Sequence, residues 1–208
     1  MRAGARIGSA FGMAPDREWY AAILNADTAM FENMIDAIVQ AAVAQDVTLI
    51  ASDAVDGYNP MHDLCEAVDA SAVSTLRLQG RNVTHLVARA VSGGDDGDIV
   101  ANIQLDKEAQ ARKQAAIDAY TPLAEEVRRL LDEEPGALAS EQLRRPAFAW
   151  DAHCSPSWES VGASRVATNK YAQRIEYVRH VRPLALALLS KEVRAGTRES
   201  GERFDCAS

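Results

Sequence analysis

An apolar run without alternation, Val47-Thr48-Leu49-Ile50-Ala51, leads straight into an acidic loop and then into a helical pattern. The loop and helix start read Ser52-Asp53-Ala54-Val55-Asp56-Gly57-Tyr58-Asn59-Pro60-Met61-His62-Asp63-Leu64-Cys65. A continuous apolar strand of this kind is the mark of a central parallel strand covered on both faces. Parallel strands need a crossover, usually a helix. Strand, loop and helix in this order therefore restrict the chain to an α/β architecture. In open α/β sheets ligands sit beyond the carboxyl ends of the strands, so the segment from Ser52 to Cys65 is where chemistry is expected.

The flanking sequence extends this reading. Residues 1–15 are Gly-, Ala- and Ser-rich and read as a flexible start. From Asp16 to Ala44, Trp19, Ile23, Ala26, Met30, Met34, Ile38 and Val39 recur at helical steps, with Asp16 as N-cap. Asn25 and Thr28 weaken the middle of that run and allow two helices. Leu64, Val68, Ala72 and Leu76 form the next helical stripe, stopped at Gly80. Val83 to Val91 reads as a strand, Ser92 to Gly97 as a turn, and Ile99 to Leu105 as a strand pairing back on it. Asp106 to Glu134 is a helix with Asp106 as N-cap and a kink or junction at Thr121-Pro122. A short strand is expected between Leu138 and Trp150, a loop over Asp151 to Ser160, and a helix over Ser164 to Val193, broken or bent at Pro183.

The expected fold is a Rossmann-like, partly parallel sheet with flanking helices and a helical C-terminal region. It forms a single domain over 16–195, followed by a flexible tail over 196–208. Doubly wound folds usually open on a strand, whereas the first clear element here is a helix, which points to a strand missing on the N-terminal side.

Composition narrows the function. The chain has 208 residues, 48% of them hydrophobic, enough for one sizeable core. No apolar run approaches the ~18 residues of a membrane span, and no secretory h-region follows the basic start. The net charge of -8 argues against nucleic acid, since the short Arg clusters neighbour acids and read as solvated helix faces. The three cysteines, Cys65, Cys154 and Cys206, form no CxxC and suit a reducing cytoplasm. Cys65 reads as a small buried hydrophobe on a helix.

His62 follows Pro60 at a helix start, where the positive end of the dipole disfavours its protonation. A neutral imidazole beside Asp53, Asp56 and Asp63 suits a metal. The plainer alternative is that Asp63 caps the helix and Tyr58-Asn59-Pro60 only sets a turn. The remaining candidates favour structure over chemistry. His153 and Cys154 are sequence neighbours that rarely face each other, so Trp150 and Trp158 are expected to pack that loop on the domain. His85 falls in a strand and His180 on a helix. Ser92 to Gly97 lacks both P-loop and EF-hand spacing.

The stretch from Tyr58 to Ala72 resembles a region of the PIG-L/LmbE-like zinc-dependent N-acetyl-sugar deacetylases, in which an acidic loop leads to His-Pro-Asp-His and an Ala/Val-rich helix. Pro60 falls on the family's Pro and His62 on its last His, which the resemblance implies is a zinc ligand. Further on, Leu105-Asp106 with Lys113, Ala116 and Tyr120 resembles the helix that opens after the family's last sheet strands. The resemblance spans about residues 45–125. Asn59 stands at the motif's first His, which polarises the acetyl carbonyl; its amide could still donate to an oxyanion. Met61 replaces the Asp. The family's opening His-Pro-Asp-Asp-Glu, which supplies two zinc ligands and the base, has no counterpart, and no His precedes His62.

A hydrolytic zinc needs about three protein ligands and an open position. Three alternatives follow: an N-terminally truncated form, a chain that has lost zinc chemistry, or a site rebuilt by Asp53 or Asp56 with a partner histidine. The expected function is amide hydrolysis, the deacetylation of an N-acetylated sugar or related small molecule. Zinc would be the cofactor where the site is complete, His62 its ligand, Asn59 the oxyanion donor, and Asp53 or Asp56 a supporting carboxylate. The competing reading is a non-catalytic α/β binding or interaction protein whose terminal helices serve for association, homo-oligomers included.

Overall fold

A computed structural model describes residues 6–8, 10–89, 97–121, 124–133, 136, 138–150 and 154–199; the side chains of 125, 126, 129, 130, 133 and 191–199 lie outside that description. Seven α-helices and four strands are found there: α1 (Asp16–Asn25), α2 (Thr28–Ala44), β1 (Leu49–Asp53), α3 (Pro60–Leu78), β2 (Thr84–Ala88), β3 (Ile99–Gln104), α4 (Lys107–Asp118), α5 (Ala124–Glu133), β4 (Ser140–Arg144), α6 (Ser157–Ala167) and α7 (Arg182–Glu199). A π-helical turn, Tyr177–Val181, leads into α7.

The expected α/β class holds. The sheet is mixed, in the order β1-β2-β4-β3, with β1 and β2 parallel and joined through α3. The pair runs in register from Leu49 opposite Thr84 to Asp53 opposite Ala88. The other two contacts are antiparallel, and a bulge interrupts the β3–β4 ladder between Ile99 and Ala101.

Two expectations about the sheet fail. The strand from Ile99 does not pair back on β2, because β4 inserts between them, with Val87 of β2 opposite Arg144 of β4. β1 is an edge strand rather than a central one among the described residues, with Leu49 44% exposed. Its apolar composition is satisfied from one side only, where Ile50 packs against the core.

The core lies among the helices. Phe31, Ile35 and Val39 of α2, Leu64, Val68, Ala72 and Leu76 of α3, and Leu184, Ala185 and Leu188 of α7 form one buried cluster. Helix α3 is its axis, packing on β1, α2 and α7. Burying each such side chain contributes about 1.5–3 kcal/mol. Trp150 stacks flat on Tyr177, with ring centroids 6.2 Å apart, and Phe148 meets both edge-on. Met30 and Met34 pack against this core, whereas Met13 is exposed.

Local details correct several boundaries. The run from Asp16 to Ala44 is two helices, and Pro15 rather than Asp16 occupies the first N-cap, with no side-chain bond. The run from Asp106 is also two helices. The expected loop up to Ser160 gives way to α6 at Ser157, after Pro156 sets an extended entry. The expected helix over Ser164 to Val193 is interrupted at 168–176, and Pro183 is the second residue of α7, directly after the π-helical turn, where the hydrogen-bond pattern of the helical stretch changes. α7 continues to Glu199, past the expected start of the tail at 196; residues 200–208 lie outside the described residues, as do 1–5, 9, most of the Ser92–Gly97 turn and His153.

Candidate functional site

Helix α3 starts at Pro60, two residues before His62, where the sequence pattern placed its start, and the reason is local. Asn59 is the N-cap: it has an extended backbone, and its Oδ1 accepts from the Met61 N–H at 2.8 Å. Pro60 is the first helical residue, its fixed φ suited to that position. Asp63, the alternative cap, does something else. Its Oδ1 accepts from the N–H groups of Asp56 and Gly57, at 3.2 and 3.1 Å, and its Oδ2 from the indole N–H of Trp158 at 2.7 Å. Asp63 is 1% exposed and Trp158 is 6% exposed. One buried carboxylate thus ties the loop after β1, the first turn of α3 and the first turn of α6 together.

The loop is fastened at two more points. Glu66, one turn along α3, accepts from the Val55 N–H at 3.3 Å. Gly57 presents its carbonyl to the Ser157 hydroxyl at 2.6 Å and to the Trp158 N–H at 3.3 Å. Gly57 has φ +74°, and a Cβ there would lie 3.2 Å from Pro156 Cβ. The position therefore needs glycine both for its left-handed backbone and for the approach of α6.

His62 and Asp53 meet on this scaffold. His62 Nδ1 lies 3.3 Å from Asp53 Oδ2, and the two side chains are 41% and 42% exposed. The nitrogen is close enough for ion pairing but not aligned as a hydrogen bond. Nδ1 itself is buried, so the exposed part of the ring lies away from Asp53. Tyr58 packs edge-on against the imidazole, with centroids 5.9 Å apart. Asp56 turns inward, its Oδ1 accepting from the Tyr58 N–H at 3.0 Å. The Asn59 amide is partly spent, since Nδ2 donates to the Tyr20 hydroxyl at 3.0 Å.

The electrostatics are those of acids crowded under cover. Burial pushes the Asp53 carboxyl above its ordinary value against the pull of His62, and Asp56 adds to the rise. Burial lifts Asp63 to about 6 despite its three donors, Glu66 to about 7 and Asp69 to about 7, where Asp53 adds repulsion. The Cys65 thiol, donating to the Met61 carbonyl at 3.3 Å, is pushed up to about 12 by burial and then by Asp53, Asp69 and Asp63. It is a protonated packing group, as its place on the helix implied.

Of the four predicted site residues, the structure brings Asp53 and His62 together and gives Asp56 and Asn59 local backbone roles. Sequence reasoning missed Asp63 as the hub, along with Glu66 and Asp69; Trp158 packs on the domain as expected, but its bond to Asp63 was not foreseen. The signal was present: acids at 63, 66 and 69 recur every three residues in the first half of α3, a spacing that makes each the neighbour of the next on the helix surface. Ser52 and His85 form a separate pair across β1 and β2, with Oγ and Nε2 3.0 Å apart, and burial followed by Arg77 lowers the imidazole to about 4. In the second segment of the resemblance, Lys113 pairs with Glu141 of β4 and Tyr120 stands exposed.

His62 and Asp53 supply two ligands, one fewer than hydrolytic zinc requires, and among the described residues no three His, Cys, Asp or Glu side chains gather to hold a metal. The described residues do not fit a catalytic zinc by themselves. No helix among them is long and apolar enough to cross a membrane. Comparison with models of known families, with curated proteins and with solved structures finds no match to this chain.

Proposed function

We propose that the chain is a PIG-L/LmbE-like, hydrolase-derived protein whose site, at the carboxyl end of β1, takes an N-acetylated sugar or a related small amide. The observation that carries this reading is the Asp53–His62 contact at the mouth of a loop held rigid by Asp63. A carboxylate beside one imidazole nitrogen leaves the other, exposed side of the ring to receive a proton or a ligand. Deacetylation needs a base for water and a donor for the carbonyl oxygen. His62 backed by Asp53 suits the first role, and the Asn59 amide suits the second.

A second reading, a binding protein without turnover, is favoured by the shortage of metal donors among the described residues. One experiment separates the two. N-acetylglucosamine is titrated calorimetrically into wild type and His62→Ala, with and without added zinc, and acetate release is followed in parallel. Binding with acetate release, both lost in His62→Ala, supports the hydrolase. Binding without release supports the second reading. Absence of binding under all conditions removes the sugar from both.

A further inference from the structure

Helix α6 is placed by its first turn. It buries a single residue, Trp158, and no side chain caps its start. Most helices gain their stability from a packed apolar face, and α6 has little of one. Three consecutive residues hold its start, and they reach two different parts of the fold. The Ser157 hydroxyl and the Trp158 N–H donate to the Gly57 carbonyl, and the Trp158 indole donates to Asp63. Glu159 reaches the other way. Its Oε1 accepts from the Tyr177 N–H at 2.5 Å, eighteen residues along the chain.

The π-helical turn that meets Glu159 is a fixed point. Its Tyr177, His180 and Val181 are all buried. The entry residue, Glu176, offers no side-chain cap. His180 Nδ1 instead takes the Glu176 N–H at 2.9 Å from within the turn, and Glu159 takes the next N–H from α6. A carboxylate on a backbone N–H makes a charge-assisted bond, roughly twice as strong as a neutral one.

The other side of α6 has little slack. A Cβ at Gly57 would lie 3.2 Å from Pro156 Cβ and 3.3 Å from Pro156 Cα, so the loop after β1 lies close against the entry to α6. Close-packed contacts of this kind transmit displacement rather than absorb it. A shift of α6 is passed to the Gly57 carbonyl and the Asp63 carboxylate, and from Asp63 to the Asp56 and Gly57 N–H groups. Those groups lie in the loop that separates Asp53 from His62.

We infer that Glu159 is a positioning residue for the Asp53–His62 pair: by tying the first turn of α6 to the π-helical turn, it sets where Ser157 and Trp158 hold the loop between the two. The inference rests on the reading of that pair as the site, but its test needs neither substrate nor metal, so the two can fail separately.

The test reads the His62 ring protons by nuclear magnetic resonance in the full chain. Tyr58 stands edge-on to that ring with centroids 5.9 Å apart, so its ring current displaces the imidazole protons by an amount that depends on the position of the loop. Glu159→Ala should move the His62 Hδ2 and Hε1 resonances away from their wild-type positions. Glu159→Gln, whose amide oxygen still accepts from Tyr177, should keep them there. Asp106→Ala removes a helix cap elsewhere and should leave them unmoved, which separates positioning from a general loss of stability. Glu159→Asp shortens the side chain by one methylene and gives the same test where the alanine variant does not fold. Resonances unmoved in Glu159→Ala, or in Glu159→Asp where the alanine variant does not fold, overturn the inference. Equal movement in Glu159→Gln and Glu159→Ala overturns it too, since His62 would then sense the charge of Glu159 and not its bond to Tyr177.

Discussion

Helices α3 and α4 begin alike. Each is entered from an extended residue whose side chain holds the first turn, Asn59 on the Met61 N–H and Asp106 on the Ala109 N–H. Beyond that turn they part. α3 buries ten of its nineteen residues, among them the carboxylates of Asp63 and Glu66, while α4 buries none. Good capping starts a helix, but the packing of an apolar face gives it most of its stability. The same difference decides where chemistry can sit. A carboxylate on α3 is shielded and shifted, whereas Arg112 on α4 makes an exposed pair with Glu108, worth at most about 1 kcal/mol.

The largest effect that can test this contrast is the loss of a core side chain. Leu64 of α3 is fully buried, and Leu64→Ala should cost about 3 kcal/mol through lost transfer energy and the cavity left behind. Ile117→Ala on α4 should cost under about 1 kcal/mol, since that side chain is only half-buried. Urea denaturation of both variants at dilute concentration measures the two. Equal losses would mean that the Gly97–Trp150 segment packs as tightly as the core and that the contrast is false.

A second test uses protons. Asp69 has its folded-state carboxyl raised to about 7 from an ordinary 3.8, first by burial and then by Asp53. The folded chain thus keeps a proton that the unfolded chain has released once the pH passes about 4. The stability tied to this proton is fully present below about 4 and is lost as pH rises to about 7. Glu66 and Asp63 act in the same direction. His180 works against them. Its Nδ1 accepts from the Glu176 N–H at 2.9 Å, and burial with Arg179 lowers it, so its share is present above about 6.5 and is lost on acidification. Asp69→Asn should stabilise the chain by about 1–2 kcal/mol at pH 8, the full shift being reduced by the side chain's partial exposure. The gain should vanish near pH 4. Thermal unfolding of both proteins at pH 4, 6 and 8 checks it, and a gain independent of pH would remove the electrostatic explanation.

The legible parts of the chain were those whose cause is local. The apolar strand before the acidic loop, found two residues later than expected at Leu49–Asp53, the helix that follows Pro60 and the division of the run after Asp106 into two helices all follow from neighbouring residues, and all are present. The pairing of His62 with Asp53 could be foreseen in part, because both lie within one strand–helix junction. What the sequence hid is long-range. Trp158 reaches Asp63 from ninety-five residues away, and β4 inserts between β2 and β3 from beyond two helices. No periodicity marks such contacts; they depend on which surfaces are left to cover once the core helices have packed. β1 shows this most plainly, since its composition is that of a central strand and its position is an edge.

The smallest effects come from the caps. Removing either cap leaves one helix N–H without its side-chain partner, at a cost of about 1 kcal/mol. Asp106→Ala should therefore lose about 1 kcal/mol and little else, because Asp106 is exposed and its Oδ1 serves only Ala109 among the contacts found. Asn59→Ala should lose that amount and more, since the same side chain also bonds the Tyr20 hydroxyl of α1 and fixes the turn that presents His62 to Asp53. The readout that divides a cap from a site is the His62 ring itself. Its proton resonances, followed through a pH titration, should shift in Asn59→Ala and stay as in wild type in Asp106→Ala. If both variants leave the imidazole unmoved, Asn59 is a cap and nothing more, and the geometry of the Asp53–His62 pair is set by the Asp63 hub alone.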